Sequence, residues 1–193
     1  MNRLVILPRR MTIPYGGSGA IRTDGGANYG FANLKQQPHL IDTVPELAHD
    51  PALKSVVSTI NRHSTGLFSS ACESCQSREH RGYRYSGYVE FAINSDSEAA
   101  DATSYFTMFH SFGLFLNSQT FAQRVTFQWE ICPAHFADIC ADGFSTSVRI
   151  DTDSFGTVEE ALTCWQTSLG ALEAFLGSIP KPAGEPIYSP DRR

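Results

Sequence analysis

Two short clusters of cysteine and histidine carry the residue types best suited to chemistry. Cys72-x-x-Cys75 is followed by His80, and Cys132-x-x-His135 is followed by Cys140. Soft and borderline ligands spaced in this way suit zinc, which takes four of them at tetrahedral positions from two short knuckles. On spacing alone, Cys72, Cys75, Cys132 and His135 would make a Cys3His site; two separate three-ligand sites, which add His80 and Cys140, or a site shared between chains are the other arrangements. The same residues allow a thiol reading, in which Cys72 or Cys75 is a nucleophile and His80 its base. Cys164 lies beside Trp165 in a helical pattern and reads as packing.

Other candidates are weaker. There is no nucleophile elbow and no His-Glu-x-x-His motif. Asp151 and Asp153, with Asp138 and Asp142 in the preceding loop, offer oxygen ligands for a hard cation, but capping and loop solvation account for them more simply. The stretch from Arg78 to Tyr85 mixes bases and aromatics, as surfaces that stack on single strands do, yet a turn with solvated arginines explains it better. His110 falls inside a helix between Phe109 and Phe112, where a half-buried flank position is the ordinary reading.

The elements that must position these groups follow from periodicity. Asp50-Pro51 caps a helix whose stripe is Leu53, Val56, Val57 and Ile60, fading near His63. Leu67–Cys72 is a weak strand and Tyr83–Asn94 a strong one, with Tyr83, Tyr85, Val89, Phe91 and Ile93 on one face. Ser95-Asp96-Ser97-Glu98 opens a second helix that runs to about Leu116 with Ala102, Phe106, Phe109, Gly113 and Leu116 inward. Val125–Ile131 alternates cleanly, a loop from Cys132 to Gly143 follows, and Phe144, Thr146, Val148 and Ile150 mark the next strand. Thr157-x-x-Glu160 starts a last helix with Val158, Leu162, Trp165, Leu169, Leu172 and Leu176 inward. Gly177 ends it.

The expected fold class is therefore α+β: a two-layer sandwich in α-ββα-ββα order, with a mostly antiparallel sheet of four to five strands and helices on one face. Residues 1–43 read as a glycine-rich, loosely structured arm, with a short strand near Leu4–Leu7. Residues 44–179 form the single domain, and 180–193 an exposed proline-rich tail. A crossover through the second helix sets the strands before and after it parallel. The two hairpin tips then lie at opposite ends of strands about 17–20 Å long, too far apart for one zinc ion.

That leaves the wet sheet face. Arg84, Tyr88, Glu90, Gln128, Glu130 and Arg149 should share it and form a docking surface for a protein or peptide, which lies across the sheet or adds a strand to its edge. Cross-strand pairing of their charges is the plainer account.

Composition bounds the rest. The chain has 193 residues, 41% hydrophobic and 18% charged, with a formal net charge of -5. An acidic balance disfavours nucleic acid. No stretch approaches the roughly 20 apolar residues of a membrane span. Leu4–Leu7 before Pro8 is too short for a secretory h-region, and the five cysteines form an odd set, so the cytoplasm is the expected location. The expectation is a non-catalytic binding or accessory subunit, in a homo- or hetero-oligomer, with a protein or peptide partner and no cofactor. Two alternatives stand beside it. One is a small zinc- or thiol-dependent enzyme on Cys72, Cys75, His80 and the Cys132–Cys140 loop. The other is a small-ligand binder lined by Phe106, Phe109, Phe127, Trp129 and Trp165.

Overall fold

Alternating strands dominate the chain, and they assemble into one six-stranded sheet of mixed but mostly antiparallel pairing. The computed structural model describes residues 1–8, 10–16, 30–80 and 82–189. Most of the glycine-rich stretch expected to be a loop lies outside the described residues. The strands are β1 (Asn2–Ile6), β2 (Met11–Ile13), β3 (Leu67–Glu79), β4 (Gly82–Ile93), β5 (Val125–Phe136) and β6 (Ala141–Thr152). The order across the sheet is β1-β5-β6-β4-β3, and β2 continues the line of β1 along β5. β1 and β2 run parallel to β5, and every other pair is antiparallel.

The sheet thus exceeds the four to five strands expected from the pattern. The addition comes from the N-terminal segment: the short strand expected near Leu4–Leu7 is β1, and the three-residue β2 is too brief to signal itself. The expected loop from Cys132 to Gly143 is mostly strand, with only a tight turn at Ala137–Ile139 and Cys140 in the left-handed region at φ 50°. Pro133 disguised this. Proline has no N–H and is tolerated in a sheet only where the ladder is interrupted. Pro133 sits between Ile131, paired with Ile6, and Ala134, paired with Met11, where β1 has ended and β2 has not begun.

The helices are α1 (Pro51–Ile60), α2 (Asp96–Ala99), α3 (Ala102–Leu116) and α4 (Val158–Gly177). The second expected helix is broken in two, because Asp101 caps a new start through Thr103 N–H just after the Ser95 cap. The main core joins Leu53, Val56, Val57 and Ile60 of α1 and Trp165, Leu169, Leu172 and Leu176 of α4 to the inner sheet residues Val89, Phe91, Phe127, Trp129, Val148 and Ile150. Asp50 locks two helices at once. Its carboxylate accepts from Leu53 N–H at 2.9 Å, capping α1, and from Trp165 Nε1 of α4 at 2.7 Å. Trp165 lies so close to β4 that a Cβ on Gly87 would come within 2.8 Å of its ring and 2.3 Å of the Glu73 carbonyl.

The buried stripe of α3 differs from the expected one: Tyr105, Met108 and Phe112 are inward, and Phe106 is 36% exposed. Aromatics surround this helix, so periodicity alone leaves its rotation open. The Tyr105 hydroxyl decides it, accepting from Ile93 N–H at 3.1 Å and donating to the Phe144 carbonyl at 2.5 Å.

A second, smaller core lies on the other sheet face. Phe68, Ala92, Ala134 and Phe136 of the sheet meet Ile13, Ala99, Ile187 and Tyr188. The proline-rich tail, expected to be exposed, is therefore docked where it is described. Tyr188 is 3% exposed, and its ring meets Phe68 edge-on at 4.8 Å. Asn94 holds it with both ends of its amide, donating to the Tyr188 carbonyl and accepting from its N–H, each at 2.8 Å. Two apolar residues among prolines supply the burial that tail composition conceals. Among the described residues, no helix is long and apolar enough to cross a membrane.

Candidate functional site

Residues opposite one another in a sheet share a face, and successive residues alternate. The register therefore places all six polar candidates together. Arg3, Gln128, Arg149, Tyr88 and Glu73 form one row across five strands, and Val5, Glu130, Ser147, Glu90 and Ala71 form the next. Thr126, Asp151, Ser86 and Cys75 make a third row, and Arg84 stands opposite Ser77. This polar half adjoins the small second core on the same face.

The charges on it are largely matched. Arg84 forks between Glu79 and Asp151, each at 3.0 Å, and Arg149 approaches Asp151 at 3.5 Å. Gln128 donates to Glu130 at 2.7 Å. Glu90 is only 6% exposed and accepts from the Ser70 hydroxyl at 2.7 Å. Tyr15 donates to the Ser70 carbonyl at 2.8 Å. Burial, and then the Glu90 charge, push the Tyr15 phenol upward from its ordinary value. Arg149 is the most exposed of the six candidates. Hydrogen bonding and ion pairing are what this surface can offer a ligand.

Beside it runs the outer edge of β3. Its first residues are covered: Ser69 N–H donates to Asn61 Oδ1 at 3.2 Å, and Asn61 Nδ2 to Ser69 Oγ at 2.6 Å. From Cys72 to Glu79 no backbone among the described residues pairs with that edge.

The cysteine and histidine candidates are spread apart. β3 runs straight through Cys72 and Cys75, and on an extended strand residues three apart point to opposite faces. Cys72 packs against the main core, and burial pushes its thiol up to about 12. That is the reverse of what a nucleophile needs. Cys75 is exposed on the polar face, and His80 is exposed in the following turn. In β5, Cys132 is buried with its Sγ 3.2 Å from Met11 Sδ, while His135 points the other way and meets Asp142 at 2.7 Å. That hydrogen bond, and then Arg10, hold the Asp142 carboxyl below its ordinary value. Cys140 is exposed in the turn. β4 and β5 are both antiparallel to β6, so they run the same way and the two hairpin tips lie at opposite ends. Among the described residues, no three His, Cys, Asp or Glu side chains gather as a metal-holding group.

No family model, curated protein or solved structure matches the chain.

The aromatics proposed to line a ligand pocket are mostly core: Phe127, Trp129 and Trp165 are each 0% exposed. Cavities lie elsewhere. One of about 400 Å3 opens over α4 beside Phe121, Phe155, Glu159 and Cys164. Another, of about 210 Å3, lies between the end of α1 and the C-terminal tail and is lined by Lys35, His63 and Lys181. No sequence motif marks these three residues, which meet only because the tail returns to the sheet.

Proposed function

We propose that this chain is a non-catalytic binding subunit that takes an extended segment of a protein partner along the outer edge of β3. The helices back the platform in a two-layer arrangement, and the polar half of the sheet reads the side chains of the bound segment. One observation carries the reading: the edge from Cys72 to Glu79, which no backbone among the described residues pairs, beside the row of Glu73, Tyr88, Arg149, Gln128 and Arg3. Main-chain pairing at an edge supplies affinity, and alternate side chains supply specificity. An unpaired edge is also a hazard that charged residues blunt. Glu73, Arg78 and Glu79 do this here while leaving the backbone groups accessible to a matched segment. Five cysteines, none of them in a disulfide, fit a cytoplasmic setting.

Selection of a phage-displayed peptide library on the full chain tests the proposal. Selected peptides should lose about tenfold or more in affinity when proline removes an outward N–H from the edge. Ser74→Pro and Cys75→Pro are made as a pair, because neighbouring N–H groups point to opposite sides of the strand. The variant that keeps the native circular dichroism spectrum is the one assayed. Absence of enrichment over an unrelated control protein, or enrichment indifferent to that proline, would overturn it.

A further inference from the structure

Lys35 is 5% exposed, and no carboxylate among the described residues pairs with it. Its ammonium donates to the Arg62 carbonyl at 2.6 Å, the Thr65 carbonyl at 2.8 Å and the Thr65 hydroxyl at 3.2 Å. These oxygens lie just past the C-terminal end of α1, where helix polarity favours a cation. They satisfy hydrogen bonds but bring no full negative charge. Burial first, and then the charge of Lys181, lower the Lys35 pKa to about 8.

The cavity of about 210 Å3 opens next to this amine. Its wall includes Lys35, His63 and Lys181, and none of its lining residues among those described is acidic. In a chain with net charge -5, a cavity whose described lining is basic and neutral is a local reversal of sign. Lys181 Nζ stands 3.0 Å from His63 Nε2 at its mouth. The tail segment that brings Lys181 there is held tightly: a Cβ on Gly66 would fall 2.2 Å from the Pro180 carbonyl, and one on Gly184 2.3 Å from Ser95 Oγ. The spacing of the basic groups is thus set by the packed fold rather than by two free side chains.

We propose that this cavity binds a small oxyanion, the phosphate or carboxylate group of a small ligand, with Lys181 and His63 as direct donors and Lys35 as the buried charge behind them. The roles follow from the donor inventory. All three N–H groups of Lys35 are engaged by protein oxygens, so it acts through its field. Lys181 commits one N–H to His63 and retains two, and the second ring nitrogen of His63 has no protein partner among the described residues. An oxyanion at the mouth gains charge-assisted hydrogen bonds from both and supplies the counter-charge that Lys35 lacks.

The test is titration of the full chain with inorganic phosphate, and separately with acetate, at constant ionic strength, followed by amide NMR shifts. Saturable shifts at His63, Gly66 and Gly184 are expected with at least one of the two anions. The preferred anion identifies the phosphate or the carboxylate source. Lys181→Gln and His63→Gln, both at exposed positions, should each weaken binding about tenfold, and Lys181→Arg should retain it. Lys35→Met should abolish it, with circular dichroism reporting whether that variant folds. The surface variants decide the matter if it does not. Shifts that rise linearly without saturation, that sodium chloride reproduces, or that persist unchanged in Lys181→Gln and His63→Gln would overturn the proposal.

Discussion

Replacing Asp50 by Asn isolates a single buried contact. Asn is as good an N-cap as Asp, so the bond from Leu53 N–H survives. With its one oxygen held by Leu53 N–H, the Asn presents its NH2, a donor, to the Trp165 Nε1–H in place of a carboxylate oxygen. A buried hydrogen bond to a charged group is worth about 1.5–3 kcal/mol, and stranding the donor costs about 1–3 kcal/mol. The expected loss is therefore about 2 kcal/mol, or about 4–8 °C in Tm for a chain of this size. Asp50→Ala should lose about 1 kcal/mol more, because the cap goes too. Urea unfolding followed by far-ultraviolet circular dichroism measures both, with an unchanged m-value showing that only stability moved. The control is Trp165→Phe, which has no N–H to strand. In that background Asp50→Asn should cost far less, a coupling of about 1.5–2 kcal/mol. Equal losses in both backgrounds, within the ~0.5 kcal/mol expected of independent sites, would refute the claim that this bond ties α1 to α4.

Other outcomes follow from the same physics. Asn94→Ala removes both bonds to Tyr188, so amide exchange at Tyr188 should accelerate well beyond that in α4, as hydrogen–deuterium exchange would show. Because burial lowers the Lys35 pKa from its ordinary 10.5 to about 8, the folded state gives up this proton before the unfolded state does. The group's contribution to stability therefore rises with pH between those values. The unfolding free energy of Lys35→Met should lack that rise when the two proteins are compared from pH 7 to 9. Cys75 and Cys140 are exposed, whereas Cys72, Cys132 and Cys164 are buried or half-buried. Iodoacetamide with mass mapping should label the first pair in the native protein and the other three only on unfolding.

Local chemistry made much of this architecture legible. The caps at Asp50, Ser95 and Thr157 stand where their side chains accept the expected N–H groups. The alternation in Tyr83–Asn94 and Val125–Ile131 predicted which side chains face inward. The opposed hairpin tips followed from strand direction, and so did the separation of the two cysteine clusters. What was not legible depends on distant partners. β1 reads as a short strand near Leu4–Leu7, but the three residues of β2 show as a strand only beside the edge of β5. Pro133 reads as a loop residue until the gap between those two strands is known. Ile187 and Tyr188 look like tail residues until Phe68 and Phe136 are placed beneath them. Cys72-x-x-Cys75 resembles a knuckle only if the chain turns there, and β3 does not turn. The polar row could be read from alternation, but buried Glu90 could not be separated from its less buried neighbours, because its partner Ser70 lies on another strand and is in turn met by Tyr15.

The second core has a consequence for the order of assembly. It joins Ile13 near one end of the chain to Ile187 and Tyr188 near the other, over a sheet that lies between them in sequence. Contacts of such long sequence separation form slowly and late. During synthesis, Phe68, Ala92, Ala134 and Phe136 would lack part of their cover until the segment carrying Ile187 and Tyr188 emerges. The main core of helices and inner sheet residues can meanwhile close without them. A ribosome-bound chain stopped before Ile187 should therefore carry a formed sheet with one partly bare apolar end, which is the surface that chaperones and misassembling neighbours recognise.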